Sequence, residues 1–252
     1  MKGIVVLMGL MIMATASFGA DLNQKVTTPS GIVLYLPVQW QQIPKDILTA
    51  QFEEAFRQNP DLRKQMYEDG FQAPAEQWFS YPYLLVQSVH TGRIFETAFK
   101  KVPKLDEVFD AKVQETAQSL SATVDAVTGK AVYDSNQRIL WTSAKANYLG
   151  IGNIKMLAGG HLSEDGIVQI YCYAREEDFS RYENLFHQII SRVDLPPGIR
   201  YVPRITDKMS PVINSINWDK ALSKGIVGAV VGGIAGLILA LMRRKKKSRP
   251  ED

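Results

Sequence analysis

Cysteine is close to absent from this sequence: Cys172 is the only one in 252 residues, so no disulfide can form within the chain. No Asn-x-Ser/Thr glycosylation sequon occurs either. A eukaryotic secreted domain of this size often carries both, whereas a bacterial periplasmic domain needs neither. Histidine is scarce too. His90, His161 and His187 fall in separate segments with no Cys or carboxylate at ligand spacing, so they read as surface or edge residues and not as a zinc set. The chain lacks a Gly-x-Ser-x-Gly elbow, a phosphate loop and a His-Glu-x-x-His pair. Gly150-Ile-Gly152 is missing the third glycine of a dinucleotide loop and reads as a turn or bulge. These absences lead to the expectation of a non-enzymatic protein with no metal and no cofactor.

A basic surplus is also missing from the body of the chain. The whole sequence holds 29 Lys+Arg against 26 Asp+Glu. Without Lys2, the six cations of the tail, Glu251 and Asp252, there remain 22 basic and 24 acidic residues, a balance of about −2. A nucleic-acid-binding domain would carry its own positive excess, so nucleic acid is not an expected partner.

Long apolar runs are confined to the two ends. Lys2 precedes Ile4 to Met13, an uncharged run followed by the small-residue patterns Ala14-Thr15-Ala16 and Ser17-Phe18-Gly19. That is the layout of a cleavable signal peptide, here residues 1–19. The run is about half the roughly 20 residues needed to span a bilayer, and no Cys stands near the cleavage site to accept lipid. The second run, Gly225 to Met242, holds eighteen uncharged residues, roughly 27 Å as a helix. Arg243, Arg244, Lys245, Lys246, Lys247 and Arg249 follow it, against Lys220 and Lys224 before it. This imbalance puts the tail, residues 243–252, in the cytoplasm. The expected layout is a periplasmic domain over 20–198, a juxtamembrane linker and helix over 199–224, and a transmembrane helix over 225–242. The location is a bacterial inner membrane, crossed once.

Within the domain, Gly31 to Pro37 reads as a strand closed by proline, with Trp40 just beyond. Leu48, Phe52, Ala55 and Phe56 recur at helical spacing, and Asn59-Pro60 opens a short helix to about Glu68. Gly70 to Tyr81 reads as an irregular connection and Pro82 to His90 as a buried strand. Lys104 to Leu120 is an amphipathic helix by its apolar stripe. Strands over Lys130–Tyr133, Arg138–Tyr148, Asn153–Leu162 and Ile167–Ala174 then form an antiparallel meander with short turns. Glu176 to Arg192 closes the domain as a helix whose inner face is Phe179, Tyr182, Leu185, Phe186, Ile189 and Ile190. Pro196-Pro197-Gly198 ends it.

The order of these elements resembles the PsbP-like family, an α/β/α sandwich with a bacterial periplasmic, DcrB-like branch. Gly31-Ile-Val-Leu-Tyr-Leu-Pro37 with Trp40 resembles its opening strand and Pro-x-x-Trp corner. Ile167-Val-Gln-Ile-Tyr-Cys-Tyr-Ala174 followed by Phe179, Tyr182, Phe186, Ile189 and Ile190 resembles its last strand and closing helix. The resemblance covers about Thr28 to Pro196. It implies an α+β fold, an antiparallel sheet flanked by helices, to which this chain adds a C-terminal transmembrane helix. Members are commonly accessory or binding proteins, and no shared active site comes with the resemblance.

Three groups of residues are candidates for function. Tyr67, Phe71, Trp78, Phe79 and Tyr81 put aromatics on a connection, where they can line a ligand groove or cover one sheet face. Gly228, Gly232 and Gly236 stand four apart in the apolar run and suit close helix–helix contact, hence a weak homodimer through the membrane. The tail cations set topology and attract anionic lipid. Cys172, mid-strand and on the face of Ile170 and Ala174, reads as a buried, inert thiol. The expectation is a membrane-tethered, extracytoplasmic binding or scaffold domain with an envelope protein as partner. The alternative is a small-molecule or lipid-binding module using the aromatic loop 67–83.

Overall fold

The computed structural model describes residues 21–58, 67–96, 125–128, 131–148, 152–205 and 207. In chain order its elements are β1 (Gln24–Thr27), β2 (Val33–Leu36), β3 (Gln41–Gln42), α1 (Lys45–Gln58), β4 (Asp69–Gln72) and β5 (Tyr83–His90). Then come β6 (Asp125–Thr128), β7 (Val132–Asp134), β8 (Ile139–Tyr148), β9 (Gly152–Ser163), β10 (Gly166–Arg175) and α2 (Glu176–Ser191). Strands β1 and β2 form a ribbon. The other eight make one sheet in the order β3-β4-β5-β10-β9-β8-β6, with β7 also on β8. Every pairing is antiparallel, so the described chain is an α+β domain built mainly of antiparallel sheet with two helices.

Strand β10 sits at the centre and is buried on both faces, which explains its nearly continuous apolar sequence. Its register assigns the faces. Cys172 lies opposite Leu84 of β5 and Leu157 of β9, and Ile170 lies opposite Val86 and Gly159. This face receives α2. Three acidic residues, Glu176, Glu177 and Asp178, occupy its first turn, where the helix dipole favours negative charge. Phe179, Leu185, Phe186, Ile189 and Ile190 form its buried stripe, each contributing about 1.5–3 kcal/mol by burial. Gly159 permits the close approach, since a Cβ there would stand 2.2 Å from Ile190 Cγ2. The β1–β2 ribbon covers the same face with Leu34 and Leu36. Val33 and Asp194 exchange two backbone hydrogen bonds of 2.9 Å, tying the ribbon to the chain just after α2.

The opposite face carries Tyr83, Leu85, Tyr171 and Tyr173, with α1 laid over its β4–β5 end through Leu48 and Phe52. Gly70 lets α1 settle there, since a Cβ at that position would stand 3.0 Å from Leu85 Cδ2, 3.1 Å from Ile43 Cδ1 and 3.4 Å from Leu48 Cδ1.

The segment read as an irregular connection divides in two. Residues 69–72 form β4, pairing Phe71 with Leu84 of β5 and Gln72 with Gln41 of β3. Asp, Gly and Gln carry little strand propensity, so this short strand owes its form to the backbone partners on either side. Neither β1 nor β3 has an apolar alternation that would have announced it. The segment past Gly198, assigned in the sequence to a linker, packs back on the domain as far as Asp207, held by long-range polar contacts described below. The expected signal peptide, the helix over 104–120, the transmembrane run 225–242 and the tail all lie outside the described residues, as does the short helix from Pro60 to about Glu68 up to residue 66; Tyr67 and Glu68 are not helical. Among the described residues no helix is long and apolar enough to cross a membrane.

Candidate functional site

The aromatic residues singled out in the sequence are brought together, but inward. Tyr67, Phe71 and Phe79 are 4%, 1% and 3% exposed, and only Trp78 and Tyr81 are half-buried. Phe52 of α1 meets Tyr67 with ring centroids 4.4 Å apart, and Tyr67 stands edge-on to Tyr171 at 6.2 Å. Phe79 packs on Tyr83 at 5.7 Å, and Tyr83 on Tyr173 at 5.0 Å. Phe71 points to the other face, into the α2 core. Tyr67 and Phe79, with Phe52, Tyr83, Tyr171 and Tyr173, thus cover the α1 face of the sheet and bury more apolar area than a surface patch would. Gln72, fully buried, fixes the loop that follows. Its side-chain oxygen accepts from the Phe79 N–H at 2.7 Å, and its amide donates to the Gln77 carbonyl at 2.9 Å.

Cys172 is fully buried on the α2 face, and burial pushes its thiol well above the ordinary range, which leaves it un-ionised and inert. Of the histidines, His90 is exposed and meets Asp165 at 2.8 Å, and the His187 ring lies tilted against Trp141 with centroids 4.6 Å apart. His161 departs from the surface reading. It is 8% exposed on the α2 face of β9, 2.9 Å from the Ile190 carbonyl. A carbonyl only accepts, so Nε2 carries the proton and Nδ1 is left as an acceptor. Burial pushes the ring pKa down from 6.5 to about 4. Among the described residues no three His, Cys, Asp or Glu side chains gather as metal ligands would.

Two features near the end of the chain are absent from the sequence reading. The first is a polar clamp on the returning segment. Arg93, 13% exposed and just beyond β5, donates from Nη2 to the Val202 carbonyl at 2.6 Å and to Asp207 Oδ2 at 2.8 Å. Its other terminal nitrogen faces the Glu164 carboxylate in the β9–β10 turn, and its guanidinium lies 4.4 Å above the Tyr201 ring. Asp207 Oδ2 also accepts from the Tyr201 hydroxyl at 2.9 Å and the Arg204 N–H at 2.8 Å. Burial works to raise the Asp207 carboxyl. Arg93, the Arg204 N–H and the Tyr201 hydroxyl outweigh it and hold the carboxyl below its ordinary value. Glu164, paired first with Arg93, is lowered as well, and it accepts from the Val202 N–H at 2.9 Å.

The second is a cavity of about 310 Å³ beside this clamp. Its polar lining is Gln137, Arg138, His161, Asp194, Arg200 and Tyr201, and Leu162, Val193 and Leu195 supply the apolar part. Turn β7–β8, the C-terminal end of β9 and the chain after α2 converge here. No sequence motif marks it, because its members come from segments dozens of residues apart.

Together the elements define an α+β domain whose C-terminal segment is locked to the sheet. No protein-family model and no curated protein sequence matches the chain. The solution structure of cyanobacterial PsbP from Synechocystis sp. PCC 6803 is similar, with a TM-score of 0.49 and 11% identity over 70% of this chain and 94% of that one. The PsbP-like resemblance read from the strand–Pro–Trp opening and the closing helix thus has a weak counterpart in a solved fold. That likeness concerns the fold alone.

Proposed function

We propose that this chain is a membrane-tethered, extracytoplasmic binding or scaffold domain of the cell envelope, without catalytic activity. Residues 20–198 and their clamped extension form an α/β/α sandwich in the periplasm. Residues 225–242 cross the inner membrane, and the tail from Arg243 is cytoplasmic. The observation that carries this reading is the clamp on Asp207. It ties Asp207 to Arg93, and 17 residues (208–224) separate that anchor from the apolar run in the sequence. As a helix these span about 26 Å, which holds the domain near the bilayer in a restricted orientation. A scaffold that presents one face to an envelope partner benefits from such a mount. The alternative site, the aromatic loop 67–83, loses support because Tyr67, Phe71 and Phe79 are already committed to the core.

The test is fractionation. The full chain should remain with membranes through alkaline carbonate extraction, and a variant lacking 225–242 should appear in the osmotic-shock fluid. Release of the full chain by carbonate would refute tethering by this run.

A further inference from the structure

We infer that the 310 Å³ cavity between the β7–β8 turn, His161 and the chain after α2 is a binding site for a small carboxylate that also carries a hydroxyl or amino donor. Charge and hydrogen-bond polarity on its walls point to that chemistry. Two guanidiniums, Arg138 and Arg200, line it; Asp194 pairs with Arg200 and Glu96 approaches Arg138 only at Nε, so the hydrogen-bonding capacity left for an anion is that of the Arg138 terminal nitrogens. Arg200 is largely used: Nε donates to the Leu195 carbonyl at 3.0 Å and Nη2 pairs with Asp194. Arg138 is not. Its one ion pair is a 3.7 Å contact from Nε to Glu96, so both terminal nitrogens, the prongs that grip a carboxylate side by side, make no hydrogen bond among the described residues.

The opposite wall asks for a donor. With Nε2–H spent on the Ile190 carbonyl, His161 offers only the Nδ1 lone pair, from a ring that borders the cavity. A fully ionised anion has no hydrogen to give it, whereas a hydroxyl or ammonium group does. Leu162, Val193 and Leu195 suit a short carbon skeleton between the two ends.

The position of Arg138 adds an independent sign. It closes the β7–β8 turn with φ +56°, the left-handed region where glycine or asparagine is least strained. Asp134 Oδ1 organises the turn by accepting from the Asn136 and Gln137 N–H groups, bonds that do not involve the Arg138 side chain. A strained residue with an unengaged guanidinium on a cavity wall is the pattern of a side chain kept for binding.

The full-length protein in detergent micelles would be titrated by calorimetry with lactate, malate, citrate, glycine and glutamate. Propionate, succinate and tricarballylate would serve as the matched hydroxyl-free acids, and inorganic phosphate as a simple anion. At least one hydroxy- or aminocarboxylate should bind, with a hydroxyl-free counterpart about tenfold weaker. Arg138→Gly should weaken it by about tenfold or more while leaving the thermal midpoint unchanged or raised. Silence across the panel would overturn the proposal, as would equal affinity for matched acids or equal binding by Arg138→Gly. Binding of phosphate alone would overturn the carboxylate assignment.

Discussion

Gly159 is where Ile190 of α2 approaches the backbone of β9, and Gly159→Ala probes the packing that defines the domain. The added methyl would lie 2.2 Å from Ile190 Cγ2 and 3.1 Å from Ile139 Cγ2. Carbons rest comfortably at about 3.5–4.0 Å, so the overlap with Ile190 exceeds about 1 Å. Ile190 and Ile139 are 0% and 1% exposed, and neither can swing toward solvent. Overpacking of this kind costs about 1–3 kcal/mol, and the reduced freedom of the unfolded chain returns about 0.4–1 kcal/mol. The net loss is about 1–2 kcal/mol, a drop of about 2–8 °C in Tm for a domain of this size. Urea denaturation of residues 21–207, followed by tryptophan fluorescence, reads it directly. Ile190→Ala alone should cost about 2–5 kcal/mol by leaving a cavity. In the double variant the new methyl fills part of that cavity, so the combined loss should fall short of the sum by at least about 1 kcal/mol. Additivity within about 0.5 kcal/mol would refute the placement of Ile190 over Gly159.

Three further outcomes follow from the clamp, the buried histidine and the membrane run. A fragment ending at Gly198 should be less stable than one ending at Asp207 by about 2 kcal/mol or more, because it strips Arg93 of Asp207 and the Val202 carbonyl; equal urea midpoints would contradict the clamp. His161 is neutral when folded down to about pH 4 but gains a proton near 6.5 when unfolded, so its contribution is present above pH 6.5 and is lost as pH falls toward 4. Relative to His161→Gln, the wild type should lose about 2–3 kcal/mol between pH 6.5 and 4.5, and parallel profiles would show that the ring is not buried. A membrane-association reporter carrying 224–247 should give a weaker signal with Gly232→Ile than with the wild-type sequence, as the isoleucine holds two backbones apart; equal signals would remove the proposed homodimer.

How far the fold could be read from the sequence depended on where the burial pattern was regular. The closing helix was legible because Phe179, Leu185, Phe186, Ile189 and Ile190 repeat at helical spacing after an acidic first turn. The β8–β10 meander was legible because Ser163 to Gly166 is a tight turn between two long strands, and the element ends agree to within about a residue or two. Strand β4 was not legible, since Asp69 and Gln72 are polar residues buried through specific partners, Gln42 for one and Gln77 with Phe79 for the other. The aromatics were recognised as a group, but a sequence does not say which way a ring points. Phe71 and Tyr67 lie on opposite faces of the sheet although they are four residues apart. The clamp and the cavity were invisible for a different reason. Arg93 meets Asp207 across 114 positions, and His161 meets Ile190 across 29, pairings that only the completed sheet brings about.

In the proposed arrangement the domain and the tail lie on opposite sides of one membrane. Two fusions to the full chain test it most directly: a reporter active only outside the cytoplasm inserted after Asp207, and one active only inside it placed after Asp252. The account predicts activity from both, and a weaker preference at the second site once Arg243, Arg244, Lys245, Lys246, Lys247 and Arg249 are changed to Gln. Activity showing both points on the same side would contradict it.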